Sequence, residues 1–332
     1  MKKAFKILGY FLLIIIVIAA GLLIYVKVAL PNVGAAPDLK LENSLAQIER
    51  GKYLANGVTV CVDCHSTRDW SKFLAPLTEG TIGKGGERFD KKQGFPGIFY
   101  SKNITPAGIS RYTDGELFRL ITTGVTKEGR AMFPVMPYHY YGQMDPEDIK
   151  CIIAYIRTLS PIDNQVLESV SDFPMNFIIN TIPQKANPQK LPAKSDRLAY
   201  GAYMTNASAC IECHTPVKTG QIIPGLSFSG GREFVLPDGS VVRSSNLTPD
   251  IETGLGSWTE EQFVNRFKAY AEPGYQPQTV RPGEFNSIMP WLTYTQMNKE
   301  DIAAIYAYLR QVQSIKNSVV KFTPAANMTA IK

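Results

Sequence analysis

An uncharged apolar run from Ile7 to Val26 opens the chain and is long enough, at about 1.5 Å per residue, to cross a hydrocarbon core of roughly 30 Å. The apolar stretch of a secretory leader is usually shorter. Lys2, Lys3 and Lys6 precede the run and only Lys27 directly follows it, so the positive-inside bias places the N-terminus in the cytoplasm and everything later on the periplasmic side of the inner membrane. Val33-Gly34-Ala35 offers a weak cleavage site, but Pro37 and the length of the run argue against cutting. Residues 1–30 are therefore read as a single-pass transmembrane anchor. It carries no histidine that could serve a cofactor inside the bilayer.

Beyond the anchor, apolar positions recur at helical spacing in short segments separated by long Gly- and Pro-rich loops. Amphipathic helices are expected over about 44–56 and 195–207. Two more begin at Thr113 and Thr259, where Thr-x-x-Glu116 and Thr-x-x-Gln262 have capping-box spacing. Another pair opens at Asp145 and Asn298 as N-caps and runs through Ile149 and Ile302; Met144 and Met297 just before these caps complete a hydrophobic staple. A hairpin is expected at Phe234–Val242, turned by Pro237-Asp238-Gly239. So few strand signals predict an all-α fold.

These elements come in pairs because the chain is one unit written twice at an offset near 150. Gly51-Lys52-Tyr53 matches Gly201-Ala202-Tyr203, Cys61–His65 matches Cys210–His214, and Gly85-Gly86 matches Gly230-Gly231. Asn103-Ile104-Thr105-Pro106 matches Asn246-Leu247-Thr248-Pro249, Met136-Pro137 matches Met289-Pro290, and Met144 matches Met297. Two domains follow, 42–160 and 195–315. A connector over 161–194 lies between them, broken by Pro161, Pro174, Pro183, Pro188 and Pro192, with apolar anchors such as Phe173 and Phe177.

A length of 332 residues with 45% hydrophobic and 19% charged residues suits two globular domains, and the net charge of +6 is scattered among acidic residues, which gives nucleic acid binding no support. The chemistry lies in the five cysteines. Four of them form Cys61-Val-Asp-Cys64-His65 and Cys210-Ile-Glu-Cys213-His214, the C-x-x-C-H pattern of covalent haem c attachment. Residues three apart share a helix face, so both thiols can reach the two vinyl groups of a haem edge while the next residue turns its imidazole to the iron. A zinc site would need the two pairs to converge from separate domains, and disulfides would leave His65 and His214 without a reason.

For the sixth iron ligand the sequence offers Met136 and Met289, each followed by proline just before the last helix. Met144 and Met297 are also in register, but the staple explains them; His139 is a third candidate, for the first site only, since its counterpart is Leu292. Met132 has no counterpart and is assigned to the core. Pro76 and Pro224 stand where a carbonyl could orient each imidazole, or are ordinary loop prolines. Cys151, between Ile149 and Ile152, reads as packing. Asn-x-Thr at 103 and 246 has the form of a glycosylation acceptor, yet the repeated Asn-x-Thr-Pro before a capped helix reads as loop architecture. His/Met ligation fills both axial positions, which suits electron transfer.

Taken together, these residues resemble the multi-haem cytochrome c subunits of bacterial membrane-bound alcohol and gluconate dehydrogenases. The resemblance covers roughly 42–315. It is most specific at Arg50-Gly51-Lys-Tyr53, Gly230-Gly231-Arg-Glu-Phe234, Asn246-Leu-Thr-Pro249 through Gly254-Leu-Gly-Ser-Trp258-Thr259, and Phe173-Pro174-Met-Asn176. It implies a subunit that accepts electrons from a catalytic dehydrogenase and passes them to membrane quinone or another carrier, and is not itself an enzyme. Two departures stand out: many relatives carry three haem motifs and this chain has two, and its N-terminal helix differs from members held to the membrane by other means. Two rival readings share the export and the two haems. One is a di-haem peroxidase, which needs an iron with an open position beside an acid/base residue; the other is a cytochrome c subunit of a terminal oxidase.

Overall fold

The computed structural model describes residues 2–325. It begins with α1 (Lys2–Val28), a 27-residue helix none of whose residues is buried against the rest of the protein. The first half then contributes α2 (Leu45–Tyr53), α3 (Cys61–Cys64), α4 (Pro106–Ile109), α5 (Asp114–Thr123), α6 (Tyr138–Tyr141) and α7 (Pro146–Ile156). After the short connector helix α8 (Met175–Ile178), the second half repeats the order with α9 (Arg197–Ala207), α10 (Cys210–His214), α11 (Glu260–Lys268), α12 (Trp291–Tyr294) and α13 (Lys299–Leu309). Ser44 and Asp196 cap α2 and α9 by accepting from Gln47 and Ala199. The last turn of α2 widens into a π-type winding over Leu54–Val58, closed by the Thr59 N–H on the Leu54 carbonyl.

Both capping boxes form. Thr113 and Thr259 accept from the backbone of Glu116 and Gln262, whose side chains return the bond to the cap residues. Asp145 caps α7, whereas the Asn298 side chain makes no cap bond at α13. There the Asn298 N–H donates instead to the Tyr53 hydroxyl at 3.2 Å.

The fold is not strictly all-α. Among the described residues, eight short strands build three small antiparallel sheets. In the first half β1 (Arg88–Phe89) and β2 (Gly97–Tyr100) are joined by β3 (Val170–Ser171) from the connector. A ribbon of β4 (Val217–Lys218) and β5 (Gln221–Ile222) follows α10. In the second half β6 (Glu233–Val235) and β7 (Val241–Arg243) form the expected hairpin, with Phe234 opposite Val242, and β8 (Phe322–Thr323) adds a third strand. Apart from that hairpin, strands two to four residues long carry too little alternation to be read from sequence. β3 and β8 arise because the chain leaving each last helix returns alongside the hairpin of its own half.

The core sits where first and last helices of each half cross. Gly51 and Gly201 allow that crossing: a Cβ would lie 1.8 Å from the Cys151 carbonyl oxygen in one pair and 2.0 Å from that of Ala304 in the other. Met144, Ile149, Ile153, Met204, Met297, Ile302 and Ile305 are buried in one hydrophobic cluster that spans both halves. The halves also exchange polar bonds reciprocally. The Tyr53 hydroxyl donates to Asp301 at 2.5 Å and that of Tyr203 to Asp148 at 2.7 Å, the mutual pattern of an isologous contact. Asp148 and Asp301 are buried, so these bonds and the Arg50 and Lys194 ion pairs keep their charges from being orphaned.

The connector is held to the first half, with the Leu191 N–H on Asp145 and the Asn187 N–H on the Gly142 carbonyl. One expectation fails here. Phe173 is no anchor, being 82% exposed, while Phe177 lies under the Lys27 ammonium.

Candidate functional site

Each cysteine motif starts from a strained residue. Val60 and Ala209, just before Cys61 and Cys210, adopt φ of 49° and 48°, a left-handed conformation costly for a side chain with a Cβ. The preceding carbonyls, of Thr59 and Ser208, accept from the buried hydroxyls of Tyr141 and Tyr294 at 2.6 and 3.0 Å. Sequence reasoning missed these tyrosines, although they stand at the same offset as Met136 and Met289.

The two histidines are fixed alike. His65 Nδ1 lies 2.6 Å from the carbonyl oxygen of Lys102, and His214 Nδ1 lies 2.8 Å from that of Ser245. A carbonyl only accepts, so Nδ1 carries the proton and Nε2 keeps its lone pair. Burial lowers both imidazole pKa values, partly offset by these bonds, which favours the neutral ring. Neither Pro76 nor Pro224 is the partner; the Pro76 carbonyl is taken by the Asp69 N–H.

Two duplicated motifs build this arrangement. The Gly85 and Gly230 N–H groups donate to the carbonyls of His65 and His214 at 2.8 Å, with φ of +70° and +74°. A Cβ at either would come within 2.5 Å of the peptide that holds the imidazole. The Asn-x-Thr-Pro loops supply that peptide. Asn103 Oδ1 accepts from the Thr105 N–H and hydroxyl, while its Nδ2 donates to the Ile162 carbonyl; Asn246 does the same with Thr248 and Ile315. Both amides are thus buried parts of the loop rather than open acceptors of glycan.

Met136 and Met289 each lead into a tight turn. Pro137 and Pro290 adopt φ, ψ near −78°, 53° and −77°, 60°, and the next N–H bonds back to the methionine carbonyl, an inverse γ-turn that proline pre-sets. Both methionines are half-buried against the core. Met289 and His214 line one cavity of about 1860 Å³ with Leu255, Phe263, Phe267 and Leu309, and Cys64, Cys210 and Cys213 open onto it too. Met144 and Met297 are sealed in the core at 1% and 0% exposure. The His139 ring lies tilted at 51° against Tyr138 with ring centroids 4.5 Å apart, and Met132 is half-buried.

No disulfide forms among the five cysteines, and no cluster of three metal-ligating side chains occurs among the described residues. Burial pushes the Cys64 and Cys210 thiols up to about 12. Cys151 is partly buried on α7, its thiol raised to about 11 by burial. The two motifs approach each other across the halves. Thr293 donates to Asp63 at 3.4 Å and Tyr140, its counterpart, donates to Glu212 at 3.0 Å. Arg68 and Arg232 neutralise these carboxylates from within their own halves.

No family model matches the chain. It is similar to the gluconate 2-dehydrogenase cytochrome c subunit of Pantoea cypripedii, 27% identical over 84% of this chain and 62% of the relative. The fructose dehydrogenase cytochrome subunit of Gluconobacter japonicus is 29% identical over 80% of this chain and 52% of its own. A diheme cytochrome c-type protein of Cereibacter sphaeroides is 25% identical over 77% and 83%. The chain thus spans between half and two thirds of the gluconate, alcohol and fructose dehydrogenase cytochrome subunits it matches. Over most of its length it is homologous to the cytochrome c subunits of gluconate, alcohol and fructose dehydrogenases.

Proposed function

We propose that the chain is a membrane-anchored di-haem cytochrome c whose tandem domains, 42–160 and 195–315, relay electrons from a partner dehydrogenase to quinone, an oxidase or another carrier. The observation that carries this reading is the doubled histidine clamp. Both C-x-x-C-H imidazoles donate Nδ1–H to a backbone carbonyl and leave Nε2 for iron. Cys61, Cys64, Cys210 and Cys213 would hold two haem c groups through thioethers, and His65, Met136, His214 and Met289 would be the axial ligands. When bound, haem c supplies one-electron chemistry at a potential that methionine ligation raises.

The chain's own residues set the conditions for that chemistry. Leu255, Phe263, Phe267 and Leu309 give the cavity an apolar wall beside His214 and Met289. The γ-turns at Pro137 and Pro290 fix the approach of each methionine. The Thr293–Asp63 and Tyr140–Glu212 bonds keep the two motifs facing each other. The relatives' names support a dehydrogenase as donor, and their differing substrates leave the ultimate donor a small oxidisable alcohol, sugar or sugar acid in general terms. Residues 1–30 would hold the unit on the outer face of the inner membrane.

The test is a visible and near-infrared spectrum of the full chain in detergent, with haem counted per chain and carbon monoxide added after reduction. Two covalent haems, a sulfur-to-iron band and no carbon monoxide shift are expected. Met289→Ala should keep the haem and remove the band's second-half share, while Met297→Leu leaves it intact. A prompt carbon monoxide shift in the unmutated chain would instead favour the peroxidase reading.

A further inference from the structure

The connector carries an apolar surface where packing was expected. Phe173 is 82% exposed, Leu167 66%, Val170 61% and Ile178 44%, all within twelve residues. Scattered single exposures are ordinary, but this group stands at the exit of α1. The Lys27 ammonium donates to the Asn176 carbonyl at 3.5 Å and lies 4.9 Å from the centroid of Phe177.

Depth follows from that contact. On the reading of residues 1–30 as an anchor, Ile7–Val26 fills a hydrocarbon core of about 30 Å, which puts Lys27 at its outer boundary. Groups that touch Lys27 lie at the same level. The segment has the make-up of such a level: exposed Phe and aliphatic side chains beside polar groups, including an ion pair between Lys91 and Asp172 at 2.9 Å. We propose that residues 167–178 are a second membrane contact, with Phe173 and Ile178 seated among phospholipid headgroups and upper acyl chains beside α1.

This contact would do more than add affinity. A lone helix followed by an extended stretch leaves the exported unit free to turn, whereas two contacts fix its orientation. The segment is tied into the first half through β3, which pairs Val170 and Ser171 with Ile98 and Gly97 of β2. Just past β2, the Lys102 carbonyl holds His65. The first half is therefore the one turned toward the bilayer.

The test reconstitutes the full chain in lipid nanodiscs that contain a phosphatidylcholine with a photoactivated carbene source at the top of its acyl chain, and maps adducts by mass spectrometry. Adducts on α1 and within 167–178 are expected. The Phe173→Ser, Ile178→Ser double variant should lower the second set about fivefold or more while α1 labelling is unchanged. Adducts confined to α1 would overturn the second contact and leave the anchor standing, as would a connector surface that is labelled equally in the double variant. Absence of adducts on α1 itself would overturn both, and the spectral test of the electron relay would be unaffected.

Discussion

In the first half the chain runs directly from α5 to Met136, whereas in the second it makes a longer excursion from α11 to Met289. The offset between halves grows from 146 at Thr113 and Thr259 to 153 at Met136 and Met289. The excursion is spent on the other half. The Phe73 N–H bonds to the Gln278 carbonyl, the Val280 N–H to that of Ser71, and Asn286 accepts from the Leu74 N–H, while Phe73 packs between Tyr270 and Phe285. The histidine clamp keeps its bonds through a length change of its own: the step from histidine to carbonyl is 37 residues in the first half and 31 in the second, yet glycine, asparagine and threonine repeat the same bonds in both. Loop length varies in both regions, and the bonds that hold each imidazole do not.

The equivalence can be tested by paired substitutions. The largest effect is expected at the helix crossings. Gly51→Ala and Gly201→Ala each drive a methyl into a carbonyl, and each should cost about 3 kcal/mol or more in denaturant unfolding. Tolerance in one half alone would break the comparison. At the clamp, Gly85→Ala and Gly230→Ala combine a left-handed backbone with a close contact, for an expected loss of about 2–3 kcal/mol. Both should also alter the magnetic resonance signature of His65 or His214 in the affected half.

The interface tyrosines should behave unequally. Asp148 keeps two bonds from Arg50 when Tyr203 is lost, whereas Asp301 keeps one from Tyr200 and one from the largely exposed Lys194 when Tyr53 is lost. Tyr53→Phe should therefore cost about 2 kcal/mol and Tyr203→Phe about 1 kcal/mol. Equal losses would mean that the flanking cations contribute nothing. The smallest effect is expected at the capping boxes, where Thr113→Ala and Thr259→Ala should each cost about 1 kcal/mol, followed by thermal unfolding.

The features read correctly from sequence are local ones. The boxes at Thr113 and Thr259, the hairpin at Pro237-Asp238-Gly239 and the staple methionines each depend on residues within one or two turns of each other, so side-chain identity and spacing suffice. The misreadings share a different cause. Pro76 and Pro224 read equally as imidazole partners or as ordinary loop prolines because proline is visible in a sequence, while the carbonyls of Lys102 and Ser245 belong to residues whose side chains are irrelevant to the bond. Asn103 and Asn246 were noticed for their repetition, and their task in holding that peptide emerged only with the loop closed.

By itself the sequence determined that the chain is duplicated, where its longer helices begin and which cysteines and histidines stand together, because these rest on contacts a few residues apart. Tertiary structure decided the rest. Partners 37 and 31 residues distant fix the histidines, and hydroxyls reaching 248 and 55 residues along the chain join the halves. It also left Phe173 outside the core and put strands into a helical fold. Backbone carbonyls and surface exposure have no letter in the sequence; they acquire a role only when distant segments are packed against each other.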